Sequence, residues 1–233
     1  MIILRDQKRC LIGGVDQQSQ WIGGQKVWAK PMAASWNPGM IAGASWLAAD
    51  DTQNILASNG KVLLWNPKAG TRSLSQPEPN YQPTNDGVVG GKPATRFNQN
   101  LQGFNFSDLL PSNYTVISIM QGLEAPRRSR VLLASGPNSS NVYVPHGQFG
   151  DGSSNWHLRG GIVTWHINGT QVVSTTRGGS VDLLEGGLKP KVHEFHLTDG
   201  SKVTSYGSAT SGMFLNGDVA EVVIPPGTLG DED

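Results

Sequence analysis

His193-Glu194-Phe195-His196 brings two imidazoles and a carboxylate together, the side chains that hold transition metals. On a strand, residues three apart project to opposite faces, so His193 and His196 cannot share one ion as adjacent ligands. They are therefore assigned to structure or surface, and no metal is expected. The nearest approach to a strand-borne catalytic carboxylate pair is Asp218 and Glu221. Three apart on a regular strand, they too face opposite ways, which leaves no acid and base on one side of a cleft. The chain contains no Gly-x-Ser-x-Gly elbow, P-loop, His-Glu-x-x-His helix or Cys-x-x-Cys pair. The expectation is a protein that is not an enzyme and uses no cofactor.

Binding is the chemistry better represented. Tyr143, Trp156, His157 and Trp165 crowd one region beside Asn, Asp and Arg, and a neutral glycan surface needs aromatic platforms for sugar faces with polar neighbours for hydroxyls. These four are the glycan-binding candidates. Trp165 also alternates with Val163 and Ile167, which is the pattern of a core face. Tyr143, between Val142 and Val144, is expected to point outward, and Trp156 borders a Gly/Ser/Asn loop. Arg127-Arg128-Ser129-Arg130 reads as a solvated turn. Gly150-Asp151-Gly152-Ser153 offers calcium its backbone carbonyls but a single carboxylate, which leaves that ion open.

The elements that must carry these residues follow from composition. With 30 Gly, 14 Pro and 15% charged residues in 233, the chain favours short strands and tight turns over long helices. That length buries roughly three quarters of the unfolded surface, enough for one core without staples. Eighteen basic residues balance eighteen acidic ones, which excludes a large footprint for nucleic acid or an anionic membrane. The lone Cys10 cannot form an internal disulfide and is expected to be a buried thiol. The start lacks the pattern of a secretory signal, and no apolar run approaches a membrane span. The sequons at Asn105, Asn113, Asn138 and Asn168 are expected to mark Asn-rich loops and strand ends.

Turn residues recur at short intervals from Ala44 onward, and strand-length runs lie between them: 61–65, 114–120, 130–134, 141–144, 161–167, 191–197 and 218–224. Within 44–57, a strand through Trp46-Leu47 and a helical turn capped at Asp50-Asp51-Thr52 and running through Gln53-Asn54-Ile55-Leu56 are expected. Trp46 and Trp65 are expected in the core. Residues 75–88, with Pro77, Pro79 and Pro83, read as a loop. Residues 1–31 differ: Cys10-Leu11-Ile12-Gly13-Gly14 is echoed by Trp21-Ile22-Gly23-Gly24, followed by Gln25-Lys26-Val27-Trp28. Short strands about Gly-Gly turns explain this. Such strands are marginal alone, so 1–31 is expected to rest on the main domain or to pair with another chain, a candidate attachment arm with Trp21, Val27 and Trp28 as its contact residues. Residues 32–43 form a connector, and 44–233 the main domain.

Four segments in order resemble the concanavalin A-like (laminin G-like) sandwich modules of bacterial surface and phage virion proteins. They are Trp46-Leu47-Ala48-Ala49-Asp50-Asp51, then Gly60-Lys61-Val62-Leu63-Leu64-Trp65-Asn66, then Gly91-Lys92-Pro93-Ala94-Thr95-Arg96-Phe97. The fourth is the closing run from Phe214 to Ile224, followed by Leu229 to Asp233. The resemblance covers 44–233 and implies an all-β, two-sheet antiparallel jelly-roll sandwich preceded by the β arm. Hydrolases of this fold carry Glu-x-Asp-x-x-Glu on a strand, and this chain has no Glu-x-Asp. The arm resembles the Gly-Gly-x-x-Val-Trp ribbons that open phage tail and fibre proteins, although a small intracellular β protein would share the composition.

The resulting expectation is a non-enzymatic virion component (fibre, spike or tail), assembled in the host bacterial cytoplasm. Its arm docks on other virion proteins and on further copies of itself, and its sandwich contacts host-surface carbohydrate; it binds no nucleic acid and does not insert into a membrane. Two other readings stay open, because this fold changes use freely. One is a purely structural decoration protein; the other is a polysaccharide hydrolase or lyase with an unrecognised site.

Overall fold

The computed structural model describes residues 5–6, 9–12, 15–17, 19–22, 25–29, 37–98, 102–110, 114–123, 130–134, 143–147, 163–172, 189–197, 203–209 and 213–227. By internal contacts the chain divides into two units, Met1–Asn37 and Pro38–Asp233. The first holds β1 (Arg5–Asp6), β2 (Arg9–Ile12), β3 (Val15–Gln17), β4 (Ser19–Ile22) and β5 (Gln25–Ala29). β1, β2 and β3 pair in order, and β4 pairs with β5. Both Gly-Gly segments therefore lie between antiparallel partners. Ile12 is opposite Val15 around Gly13-Gly14, and Ile22 is opposite Gln25 around Gly23-Gly24. Cys10 sits on β2, paired with Gln17.

The second unit is all-β and antiparallel. Its strands are β6 (Ser45–Ala48), β7 (Ile55–Ser58), β8 (Lys61–Trp65), β9 (Leu74–Ser75), β10 (Thr84–Val89), β11 (Lys92–Asn98), β12 (Phe104–Leu110) and β13 (Tyr114–Gly122). They continue as β14 (Arg130–Ala134), β15 (Tyr143–Gly147), β16 (Val163–Ile167), β17 (Thr170–Gln171), β18 (Lys191–Leu197), β19 (Val203–Tyr206), β20 (Ser208–Ala209), β21 (Met213–Phe214) and β22 (Asn216–Ile224). Fifteen of them join one curled sheet, a half-barrel, in the order β15-β14-β19-β12-β9-β8-β10-β11-β22-β13-β18-β16-β17, with β6 on β22 and β7 on β8. β20 and β21 pair separately. Among the described residues the only helical pieces are 3-10 turns, and no helix is long and apolar enough to cross a membrane.

Asn59-Gly60 and Asn168-Gly169 have positive φ at both positions, the backbone a two-residue hairpin with the strands' own twist requires. They join β7 to β8 and β16 to β17. One face of the sheet is predominantly apolar and encloses the core of Leu47, Trp65, Phe97, Phe104, Met120, Trp165, Phe195 and Tyr206. Phe97 and Phe104 meet edge to face at 5.8 Å, and Phe97 meets Tyr206 at 6.0 Å. β22 holds the sheet's middle. β6 and β11 lie end to end along one of its edges and β13 along the other, so the opening and closing segments of the unit are hydrogen-bonded neighbours.

Three expectations change. The stretch 75–88 is not all loop: Pro79–Tyr81 is a 3-10 turn and Thr84 begins a strand, because Pro83 ends the turn and Val89 has a core-like place to fill at 3% exposure. The helical turn near Asp51 is confined to Thr52–Asn54, and Ile55 and Leu56 are already strand, drawn into the hairpin by Asn59-Gly60. Asp51 takes the N-cap place without a side-chain capping bond to the backbone; its carboxylate accepts from the Asn54 side-chain amide at 2.8 Å. Trp46 is half-buried and faces away from the main core, where its neighbour Leu47 goes instead.

Candidate metal centre

β18 is an inner strand, held by β13 on one side and β16 on the other in unbroken register. Across these strands Thr115, His196 and Thr164 stand in one row, and Ile117, Glu194 and His166 in the next. Alternation puts His193, Phe195 and Leu197 on the core face and Glu194 and His196 on the other. Because His166 is directly opposite Glu194, it shares that second face. The three ligand atoms of His166, Glu194 and His196 lie within 4.8 Å of one another.

His196 Nε2 is 3.0 Å from Glu194 Oε1, and the His166 and His196 rings meet edge to face at 5.3 Å. His196 Nδ1 lies 3.1 Å from the Thr115 hydroxyl, which donates to the Gly227 carbonyl at 2.9 Å. His166 Nδ1 is buried without a hydrogen-bond partner. The pull on His196 is divided. Burial pushes its imidazole below the ordinary value, the Glu194 carboxylate draws it up, and the charge of His166 opposes protonation again. Two imidazoles and one carboxylate on a braced sheet face can hold a proton or a divalent transition ion.

His193 belongs to the other face. It is fully buried, and its ring stacks on Trp165 at 5.9 Å. Trp165 Nε1 donates to His193 Nδ1 at 3.3 Å, which fixes the remaining proton on Nε2, a buried atom with no partner. Burial, aided by the Lys191 charge, takes this imidazole down to about 3, so it stays neutral. His193 and His196 face opposite ways, as a spacing of three on a strand predicts. The pair that shares a face is two apart, Glu194 and His196, and its third member lies across a strand pairing. The Glu-x-His spacing was the available signal; the register to His166 was not.

Asp218 and Glu221 correct another expectation. Ile119 pairs with Glu221, but the next residue, Met120, pairs with Val219, so β22 bulges at Ala220. The extra residue brings both carboxylates to the same face. They are committed to different partners: Asp218 binds Arg96 through two 2.9 Å contacts, and Glu221 accepts from Trp46 Nε1 at 3.0 Å. Lys68 lies 4.7 Å from the centre of the same Trp46 ring.

Trp165 is fully buried, stacked on Phe195 at 5.7 Å, so its ring faces belong to the core and not to a sugar surface. Tyr143 opens β15, opposite Ala134. Trp156, His157, the calcium-like 150–153 loop and Arg127 to Ser129 lie outside the described residues. Trp21 is on β4, and Val27 and Trp28 are on β5, with Gln20 opposite Trp28. No protein-family model matches the chain, and no curated protein and no solved structure matches it.

Proposed function

We propose that this chain is a non-enzymatic component of a phage-like virion, a fibre, spike or tail protein. Its N-terminal strands dock on a larger assembly and on further copies of the chain. Its second unit, a two-sheet jelly-roll sandwich of the concanavalin A-like kind, contacts host-surface carbohydrate. The observation that carries this reading is the division at Asn37, which leaves an N-terminal unit of strands two to five residues long. So small a set of pairs is marginal in water without a partner. The adjacency of the opening, Gly-Lys-Pro and closing segments around β22 supports the sandwich.

Native mass measurement of the full chain and of residues 38–233 tests the docking half. The full chain is expected to form a discrete oligomer and the shortened one a monomer; equal masses overturn it. A glycan array probed with the intact oligomer tests the binding half, and a blank array overturns that half alone. The burial of Trp165 removes one of four proposed platforms and favours the second reading, a decoration protein that stabilises a particle and binds no sugar.

A further inference from the structure

The proton count at His196 does not close by itself. A backbone carbonyl only accepts, so the Thr115 hydrogen is committed to Gly227. The contact between Thr115 and His196 Nδ1 must then be an N–H donated by the ring. A neutral His196 with its proton on Nδ1 turns a bare Nε2 lone pair toward the Glu194 oxygen at 3.0 Å, acceptor against acceptor. A positive charge is needed there. A proton shared by Nε2 and Oε1 supplies it but gives the His166 ring no role, although that ring stands in the same cluster with a buried, unpartnered nitrogen.

We propose that His166, Glu194 and His196 form a binding site for a divalent first-row transition ion, best matched by Zn2+, with Thr115 as the positioning residue behind His196. Two imidazoles and one carboxylate suit zinc and not calcium or magnesium, which take mainly oxygen. Ligands about 2.0–2.1 Å from a tetrahedral ion stand ~3.4 Å apart. The His196–Glu194 pair stands at 3.0 Å, just inside that spacing, and all three ligand atoms lie within 4.8 Å, so small side-chain rotations bring them to it. The Gly227–Thr115–His196 chain fixes the ring tautomer that leaves Nε2 free, as supports behind metal-bound histidines do. Three protein ligands leave a fourth position for water or a ligand atom.

The test uses the full chain stripped with a chelator and titrated with Co2+, followed by its visible absorption, and with Zn2+ in competition against a chromophoric indicator. One equivalent of Co2+ is expected to give the intense spectrum of a low-coordinate ion, and Zn2+ is expected to displace it. Glu194→Gln and His166→Asn should each weaken Zn2+ by on the order of 100-fold, and Thr115→Val by about 10-fold. Circular dichroism confirms that each variant is folded, and Glu194→Gln, nearly isosteric at a half-buried position, stays informative should a histidine variant fail. The proposal is overturned if Co2+ gives no saturable one-to-one spectrum. It is equally overturned if folded Glu194→Gln and Thr115→Val bind Zn2+ like the parent, or if Ca2+ competes as well as Zn2+.

Discussion

Arg96→Met removes the cation facing Asp218, the one carboxylate buried among the described residues. Asp218 is 2% exposed and receives Arg96 Nε, Arg96 Nη2 and the Val88 amide, each at 2.9 Å. Arg96 is 30% exposed and also lies 3.7 Å from Asp86, so it can turn to water when its partner is lost. Asp218 cannot. Removing one partner of a buried pair costs about 3–5 kcal/mol, and the partial exposure of Arg96 places Arg96→Met near the lower end, about 3 kcal/mol. Asp218→Asn keeps an acceptor for Val88 and releases Arg96 to solvent, so it costs about 1.5 kcal/mol. The double variant buries no charge and should fall short of the sum by about 1–2 kcal/mol. Urea unfolding followed by tryptophan fluorescence reads these differences as midpoint shifts at constant slope. An Arg96→Met cost under about 1 kcal/mol, typical of exposed pairs, would show that Asp218 does not depend on Arg96 as a buried partner, and so would strict additivity.

Gly87→Ala should destabilise by about 1–3 kcal/mol in the same assay, because the new methyl would stand 2.9 Å from both the Ala94 carbonyl and the Asp218 carboxylate. Its effect should not add to that of Arg96→Met, since both disturb one carboxylate. Tyr206 donates to Ser118 at 2.9 Å inside the core, so Tyr206→Phe should cost about 1–2 kcal/mol at neutral pH. Burial also raises the Tyr206 phenol above its ordinary value of 10.0. The folded chain then keeps a proton that the unfolded chain releases. This stability is present below about pH 10 and lost as pH rises further, and Tyr206→Phe should show a shallower alkaline decline in thermal midpoint. Trp165→Ala should cost about 3–5 kcal/mol, read by urea midpoint, and Trp165→Phe should leave any carbohydrate binding on an array unchanged.

Strands with clean alternation and turn residues at both ends were legible from sequence. Lys61–Trp65, Arg130–Ala134 and Lys191–Leu197 have the expected bounds, because local pattern alone determines them. Thr84–Val89 was hidden by proline density. Its strand character comes from its partners, Lys61 on one side and, across the Gly90-Gly91 hairpin turn, Lys92–Arg96 on the other. Trp46 was misplaced because an apolar neighbourhood does not say which of two adjacent residues faces inward; its indole N–H, answered by Glu221 175 residues away, decides it. The bulge at Ala220 defeats period-two counting outright, since it is a property of the β13–β22 pair and not of either segment. Glu194 and His196 were visible as a spacing, whereas His166 entered only through the register of β16 on β18.

The second face of the sheet separates two kinds of polar group. Asp218 and Glu221 each meet a donor from a neighbouring strand, Arg96 on β11 and Trp46 on β6, so their charges are answered within the fold. Such groups hold register: a one-residue slip would turn each away from its donor and leave Asp218 a buried, unpaired acceptor. The β13–β18–β16 rows differ. There Thr115 spends its one hydrogen on a main-chain carbonyl, His196 Nε2 stands 3.0 Å from a carboxylate oxygen, and His166 keeps a buried nitrogen without a partner. Register explains none of these, because the same strands are already fixed by seven and five paired residues and by the Trp165–Phe195 stack beneath them. Acceptors that the fold gathers but does not answer are where an external cation has most to gain, and that contrast selects His166, Glu194 and His196 over the carboxylates of β22.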